Sequence, residues 1–335
     1  MIAERAVPVI DIAPFLLGDP RARKTIAARI DETLRRIGFL IVSGHGVDQD
    51  LIARMHAVSR DFFALPLCEK SRYRAANGPV DLGYIPSGSE GLSEKAPPDL
   101  RETFAVGRVD PLDAPYFRRL EIAPFFQPIR WPDTPPELRE VWSTYYRAMG
   151  RLGRDLLVIF AAALRLDEQF FLASFSRECS KLVVRHYPDQ YATPKPGQLR
   201  AGAHTDFGTI TILAPDAAPG GLQVRDQSGV WHDCHLVPGS FIVNIGDLMA
   251  RWTNDRWVST LHRVVNPPRG LTGRSRRQAL AFFQLPNPDA MIACVPSCVT
   301  PERPARYSPV AAGAHYLERM RTIREVKDTP QMATV

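Results

Sequence analysis

Apolar residues in the first third of the chain follow two different patterns. Continuous apolar runs at 7–12 and 38–43 predict short strands, whereas apolar spacings of three and four residues at 21–37 and 48–65 predict helices. The segment 74–98 is rich in Gly, Pro and Ser, which indicates an irregular loop. This part of the chain is therefore predicted to mix strands and helices.

A longer helical pattern begins after Pro135 and Pro136. Its apolar face recurs at steps of three and four residues and comprises Leu138, Trp142, Tyr145, Met149, Leu152, Leu156 and Phe160. Thr134 and Glu137 have the spacing of a capping box, with proline at the first helical positions. These features predict a spine helix of about 30 residues.

After residue 178 the pattern changes to short β-rich runs, most of them separated by Gly, Pro, Asn or Asp. The runs lie at 181–187, 208–213, 222–225, 230–233, 240–245, 259–265 and 278–285. Many short strands at near-regular spacing favour an antiparallel sandwich or barrel. A closing helix is predicted at 307–320, before a frayed tail.

The predicted fold is mainly β with α, and it forms one compact unit without a clear linker. We divide it into a mixed N-terminal region (1–120), spine helices (121–178), a β core (179–300) and a C-terminal helix with its tail (301–335). The loop at 74–98 and the C-terminal helix are the predicted covers of a site in the β core.

Composition and charge exclude several function classes. The chain has 335 residues, of which 45% are hydrophobic and 23% charged, as expected of a globular protein. Lys and Arg exceed Asp and Glu by 42 to 36, but the excess is scattered and no nucleic-acid-binding motif accompanies it. The charge favours solubility and the attraction of small acidic molecules, and leaves the oligomeric state open.

Cysteine content and apolar run length indicate the cellular compartment. Five scattered cysteines, an odd number, favour reduced thiols and a cytoplasmic protein. The N-terminus lacks the basic end and apolar run of a signal peptide, and no stretch of about 18 apolar residues predicts a membrane span.

Candidate metal ligands lie within the β-rich half. His204 and Asp206 flank Thr205, and strand alternation places them on the same side of a strand or tight turn. A third candidate, His262, follows 58 residues after His204. Two histidines and one carboxylate form a facial triad that suits non-haem Fe(II) oxygen chemistry, although zinc hydrolysis accepts the same ligand types.

Arg277 is a candidate anion-binding residue at the start of a β-rich run. The planar guanidinium group can hold a carboxylate through two parallel hydrogen bonds. An arginine near a three-ligand iron is what a dicarboxylate co-substrate would need.

The ordered set of motifs resembles the isopenicillin N synthase-like branch of the Fe(II)/2-oxoglutarate-dependent oxygenases. The resemblance extends from residue 7 to about 321. The matching motifs are VPVIDIAPF, RRIGFLIVSGHGV, SRDFFALPLCEKSRY, DLRETFAVG, HYP, HTDFGTITIL, GGLQV, NIGDLMARWTND and STLHRVVNPP, in the family's order. The ordered set is far more specific than an isolated His-x-Asp motif.

The resemblance implies a double-stranded β-helix (jelly-roll, cupin-like) core with a metal at one end between two sheets. It implies that His204, Asp206 and His262 ligate Fe(II). It also implies that Arg277 and Tyr187 bind the distal carboxylate of 2-oxoglutarate.

One position departs from the family pattern. Relatives pair the arginine with a serine two residues later, and this position is Ala279 here. The spacing to Phe282 and Phe283 selects Arg277 as the family arginine, with Arg274 and Arg276 as rivals. Loss of one hydroxyl donor is expected to weaken co-substrate binding by roughly 1 kcal/mol unless another group replaces it.

Arg185 is a candidate substrate-binding residue. Val183, Arg185 and Tyr187 are predicted to share one strand face, so Arg185 points toward the iron. It is interpreted either as an anchor for an anionic substrate or for 2-oxoglutarate, or as one member of an ion pair at the rim of the barrel. The other predicted pocket residues are Phe207, Leu222 and Phe283.

The predicted function is that of a non-haem Fe(II)/2-oxoglutarate-dependent dioxygenase. It would use O2 to hydroxylate, desaturate or cyclise a small organic substrate while 2-oxoglutarate is oxidatively decarboxylated to succinate and CO2. An anionic or amino-acid-derived substrate is favoured, and the family suggests specialised metabolism. The alternatives are a 2-oxoglutarate-independent oxidase of the isopenicillin N synthase type and a non-catalytic metal- or ligand-binding module. Neither a nucleic acid nor a membrane is an expected partner.

Overall fold

A computed structural model describes the backbone of residues 6–75, 80–89, 97–218, 221–235, 237–271 and 273–328. Parts of the predicted loop at 74–98 lie outside these ranges. The helices are α1 (Ala13–Leu16), α2 (Pro20–Arg36), α3 (Gln49–Ala64), α4 (Leu67–Ser71), α5 (Leu138–Ala163), α6 (Asp247–Trp252) and α7 (Ala312–Asp328). Within the described residues, no helix combines the length and apolarity needed to cross a membrane.

The strands begin in the N-terminal region and continue through the second half of the chain. They are β1 (Val9–Asp11), β2 (Phe39–Ser43), β3 (Gly83–Ile85), β4 (Glu102–Val106), β5 (Lys181–Tyr187), β6 (Ala201–His204), β7 (Ile210–Pro215), β8 (Leu222–Arg225), β9 (Trp231–Asp233), β10 (Phe241–Ile245), β11 (His262–Val264), β12 (Arg277–Gln284), β13 (Met291–Ile292) and β14 (Val310–Ala311).

Two facing sheets form the core of the molecule. The large sheet has the strand order β1-β2-β10-β7-β12-β5-β4-β3, and the small sheet has the order β6-β11-β8-β9. The eight strands β5–β12 divide equally between them, as in a jelly roll. The predicted mainly β fold with a double-stranded β-helix core and a helical N-terminal region is confirmed.

The spine helix α5 covers the outer face of the large sheet. All seven apolar residues predicted for its inner face are buried. The helix contacts α2, α3, β7 and β12, and a Cβ added at Gly153 would lie 2.7 Å from the Gln284 side chain. Glycine therefore permits the close approach of α5 to β12.

The predicted start of α5 is wrong. The helix begins at Leu138, and its N-cap residue Glu137 makes no side-chain capping bond. The backbone N–H of Leu138 instead donates to the carbonyl of Pro135 at 3.1 Å. This separate turn precedes the helix, so Thr134 lies too early in the chain to cap it.

Strand and helix boundaries differ from the sequence pattern where pairing decides them. The strand predicted at 259–265 is restricted to β11, and the one predicted at 208–213 begins and ends two residues later, as β7. The closing helix begins at Ala312 instead of residue 307. All five cysteines are free thiols.

Asp31 connects α2 to the turn that follows α6. Its carboxylate accepts hydrogen bonds from Arg256 at 2.8 and 2.9 Å, from the Trp257 indole at 2.9 Å and from Arg35 at 2.7 Å. Burial raises the pKa of Asp31, but these hydrogen bonds, first of all that of Arg256, outweigh burial and lower it. The ionised carboxylate is thus the form that stabilises the fold.

We expect Asp31→Asn to lower the free energy of unfolding by about 2 kcal/mol at pH 7, because charge-assisted bonds are lost. Since the folded-state pKa is depressed, the stabilisation is complete above the unfolded value of about 4 and is lost as the pH falls through the folded one. Urea unfolding at several pH values measures both effects. The exposed neighbour Glu32→Gln is the control, and an equal loss in both variants would contradict the role of Asp31.

Candidate metal centre

Two strand ends and the turn after β6 bring the predicted metal ligands together. His204 ends β6 and His262 begins β11, and the two residues are directly paired in the small sheet. Asp206 follows β6 after one residue. The histidine rings are tilted against each other, with centroids 4.3 Å apart.

The ligand atoms of the three side chains converge. Oδ1 of Asp206 lies 3.8 Å from Nε2 of His204 and 3.7 Å from Nε2 of His262. One ligand atom from each residue lies within 4.8 Å of the others, and all three side chains are largely buried. The spacing and donor set suit a single metal ion bound on one face.

Backbone carbonyls orient both imidazole rings. Nδ1 of His204 is 2.8 Å from the carbonyl of Gly202, and Nδ1 of His262 is 3.0 Å from that of Thr260. A carbonyl only accepts, so each Nδ1 carries the proton and each Nε2 presents its lone pair. In the described part of the chain, the buried Nε2 of His204 has no hydrogen-bond partner, as expected of a metal ligand.

Two residues of the large sheet hold the carboxylate of Asp206. The Thr211 hydroxyl and the Asn244 amide each donate to Oδ2 at 2.7 Å, and these two residues are paired across β7 and β10. Both lone-pair directions of Oδ2 are thereby used, which leaves Oδ1 for a metal. Sequence reasoning missed both residues, although Asn244 lies in the motif NIGDLMARWTND.

The electrostatics keep His204 and Asp206 in the forms that can bind a metal. Burial lowers the pKa of His204 well below its usual value, with a further contribution from His262. Burial raises the pKa of Asp206, but the nearby histidines and the hydrogen bonds from Asn244 and Thr211 outweigh it and leave that pKa below its usual range. At neutral pH the pair is a neutral imidazole and a carboxylate, which are the forms that ligate Fe(II).

Arg277 and Tyr187 line the same pocket as the three metal-ligand candidates. They are directly paired on β12 and β5, and their side chains are buried. Arg277 donates to the carbonyl of Ala218 at 3.2 Å. The rival arginines, Arg274 and Arg276, are exposed.

Two alanines separate Arg277 from Phe283 on the pocket-facing side of β12. Ala279 and Ala281 follow Arg277 on the inner face of β12, before Phe283. Arg185 is paired with Ala279, and its guanidinium group lies 5.3 Å from the centroid of the Phe283 ring. Arg185 therefore extends from Ala279 toward Phe283.

Three of the four predicted substrate-pocket residues line the metal pocket, and one lies outside its described lining. Leu222, Phe283 and Arg185 line the pocket that contains the three metal-ligand candidates. Phe207 lies beside α7, where its ring centroid is 6.4 Å from that of Tyr316. Phe207 thus lies outside the described lining of the metal pocket.

Arg319 connects helix α7 to Asp247 and Phe207. Its guanidinium group forms an ion pair with Asp247 at 3.0 Å and lies 5.0 Å from the centre of the Phe207 ring. Asp247 also accepts from the Thr205 hydroxyl at 3.1 Å. The C-terminal helix thereby contacts the residue between two metal-ligand candidates.

Family models match both halves of the chain. Residues 7–134 match the N-terminal model of the non-haem dioxygenase in morphine synthesis, and residues 178–286 match the 2OG-Fe(II) oxygenase superfamily. The second match contains the metal-ligand candidates and Arg277.

Whole-chain comparisons give the same family. The 2-oxoglutarate-Fe(II) type oxidoreductase hxnY of Emericella nidulans is 35% identical, over 92% of this chain and 88% of the relative. Validamycin A dioxygenase of Streptomyces hygroscopicus subsp. limoneus is 34% identical, over 78% and 72%. A full-length Neurospora crassa protein, solved with α-ketoglutarate (2-oxoglutarate) and thymine, superposes with a TM-score of 0.84 at 27% identity, over 94% and 96% of the two chains.

The chain belongs to the 2OG-Fe(II) oxygenase superfamily. It is a non-haem dioxygenase that requires Fe(II), 2-oxoglutarate and O2 and acts on a small organic substrate. These comparisons favour neither the 2-oxoglutarate-independent oxidase nor the non-catalytic binding module.

Proposed function

We propose that His204, Asp206 and His262 hold Fe(II), and that Arg277 and Tyr187 bind the distal carboxylate of 2-oxoglutarate. The convergence of two Nε2 atoms on Oδ1 of Asp206 is the observation that supports this assignment most directly. Bound Fe(II) supplies the chemistry that couples the decarboxylation of 2-oxoglutarate by O2 to oxidation of the substrate.

The protein's own residues position the reactants. Thr211 and Asn244 fix the carboxylate of Asp206, so the ligand geometry exists before a metal binds. Arg277 and Tyr187 line the metal pocket together with Phe283, and only alanines, Ala279 and Ala281, lie between Arg277 and Phe283 on this face of β12. In the proposed arrangement the distal carboxylate of 2-oxoglutarate lies at Arg277, while the substrate enters from the side of Phe283.

The proposed substrate is a small anionic molecule, of the acidic or amino-acid-derived kind, anchored by Arg185. The single observation that carries this choice is the position of the guanidinium group, within the metal pocket and beside Phe283. Its positive charge also acts on His204, whose pKa it helps to lower after burial and His262. A carboxylate on the substrate gains a charge-assisted partner there, and an apolar body gains the Phe283 ring.

Arg185→Gln tests the anchor. Charge-assisted hydrogen bonds contribute about 1.5–3 kcal/mol, so we expect the KM for a carboxylate substrate to rise roughly 10- to 150-fold. Substrates are found by screening small organic acids for stimulated succinate release, each beside its neutral amide. Binding of 2-oxoglutarate alone should stay within about twofold, because Arg185 extends away from Arg277.

The exposed Arg225→Gln is the matched control, and Arg185→Lys retains the charge. An unchanged KM in Arg185→Gln, or equal activity with the acid and its amide, would refute the anchor. Weaker binding of 2-oxoglutarate alone would show that Arg185 binds the co-substrate instead of the substrate.

The proposal also places the protein in the cytoplasm, which the number and scatter of its cysteines support.

A further inference from the structure

Arg200 is a fully buried arginine behind the proposed co-substrate site. It immediately precedes β6, and only 1% of its surface is exposed. Its guanidinium carbon lies 5.7 Å from the centroid of the Tyr187 ring. Sequence reasoning did not single it out.

Arg200 belongs electrostatically to the pair formed by Arg277 and Tyr187. Burial and, after it, the positive charge of Arg277 lower the pKa of Arg200 to about 10, whereas Tyr187 opposes the decrease. At neutral pH both guanidinium groups are charged. Two like charges close together in a buried place are costly, and the carboxylates of Asp216 and Asp189 offset part of this cost for Arg200. The distal carboxylate of 2-oxoglutarate would add a further anion beside the two arginines.

Because Ala279 has no hydroxyl group, the contribution of the family serine to 2-oxoglutarate binding falls to another residue. Ala279 is buried in one small cluster with Tyr187, Ala201 and Val264, on the wall that Arg200 adjoins in the chain. An alanine cannot donate the hydrogen bond that a serine hydroxyl supplies in relatives. A second fixed positive charge compensates for this loss through its field and by holding Tyr187 through cation–π contact.

We propose that Arg200 is a positioning residue of the 2-oxoglutarate site, where it takes over the task of the missing serine. The inference rests on the proposed assignment of Arg277 and Tyr187 to the distal carboxylate. Arg200 acts through Tyr187 and through its charge, and it adds affinity for the dianion.

A purely structural role of Arg200 would depend on a different contact. Arg200 also donates to the carbonyl of Ser275, two residues before Arg277. The same turn is held independently, because Asp189 accepts from the backbone N–H groups of Ser275 and Arg276 at 2.7 and 2.8 Å. Removal of the charge at Arg200 therefore leaves the turn with its other support.

The test compares two 2-oxo acids that differ only at the distal end. The Fe(II)-loaded full chain is titrated anaerobically with 2-oxoglutarate and with 2-oxopentanoate, which carries a methyl group in place of the distal carboxylate. For Arg200→Met we expect the Kd for 2-oxoglutarate to rise about tenfold and the Kd for 2-oxopentanoate to stay within about twofold. Arg200→Lys should recover most of the affinity, because it keeps the charge.

Ala279→Ser supplies the second part of the test. We expect the restored hydroxyl to improve 2-oxoglutarate binding more in Arg200→Met than in the unmodified chain, since the two groups serve the same end of the ligand. Equal gains in both backgrounds, an unchanged Kd in Arg200→Met, or equal weakening for both acids would overturn the proposal.

A failure of the underlying assignment has its own signature. In that case Arg277→Leu leaves the Kd for 2-oxoglutarate unchanged, whatever Arg200 does. If Arg200→Met does not fold, the comparison is made with Arg200→Gln, which also removes the charge, and with Ala279→Ser. The inference is then refuted if the serine improves binding equally in the presence of arginine and of glutamine.

Discussion

His204→Ala will abolish 2-oxoglutarate-dependent turnover, with the fold retained. The variant removes one of two imidazole nitrogens that converge with Asp206, and it also removes a buried lone pair that no other described group uses. Loss of a residue that only hydrogen-bonds to a metal ligand already costs about 10- to 100-fold in metal affinity, so loss of a ligand should exceed the upper end of that range. Calorimetric titration with Fe(II) under argon measures the affinity, and succinate release measures turnover.

The control is His235→Ala, an exposed histidine outside the triad. Asp206→Ala should behave as His204→Ala does. Circular dichroism and the melting curve of the metal-free protein establish that each variant is folded. Normal metal affinity and turnover in either triad variant would exclude the proposed ligand set.

Arg277→Leu will raise the requirement for 2-oxoglutarate steeply. Arg277 is only 6% exposed, so a carboxylate bound to it is removed from water. Truncation of one member of such a buried pair of charges costs about 2–5 kcal/mol. This corresponds to a roughly 30- to several-thousand-fold rise in the Kd for 2-oxoglutarate. Anaerobic titration of the Fe(II) protein, followed through its visible charge-transfer band, measures that Kd.

Arg276→Leu is the matched control, because this neighbouring arginine is exposed. Its effect on the Kd should be less than about twofold. If Arg277→Leu binds 2-oxoglutarate as tightly as the control does, the distal carboxylate is bound elsewhere in the pocket.

Sequence periodicity predicted those strands whose own residues favour extended structure. β5 and β8 have the predicted bounds, and both are rich in aliphatic residues. β6 was not predicted, because its sequence Ala-Gly-Ala-His has no β-branched or apolar pattern. It is a strand because it pairs with β11, a contact between residues more than 50 positions apart.

The same limit applies to the candidate site. The triad and Arg277 were predictable because short motifs carry them. Asn244, Arg200 and Arg319 were not, since each depends on a partner that only the folded chain brings near. A buried arginine has no local pattern that separates it from an exposed one.

The division of the pocket between two sheets has a consequence for how new specificities arise. The small sheet carries the histidines of the triad, whereas Arg185 and Phe283 lie on β5 and β12, which contribute none of the three candidate ligands. Under the proposed assignment, substitutions at those two positions change the substrate preference and leave all three candidate ligands in place. Such a pocket is evolvable, because a lineage can explore new acceptors while its oxidising chemistry is inherited unchanged.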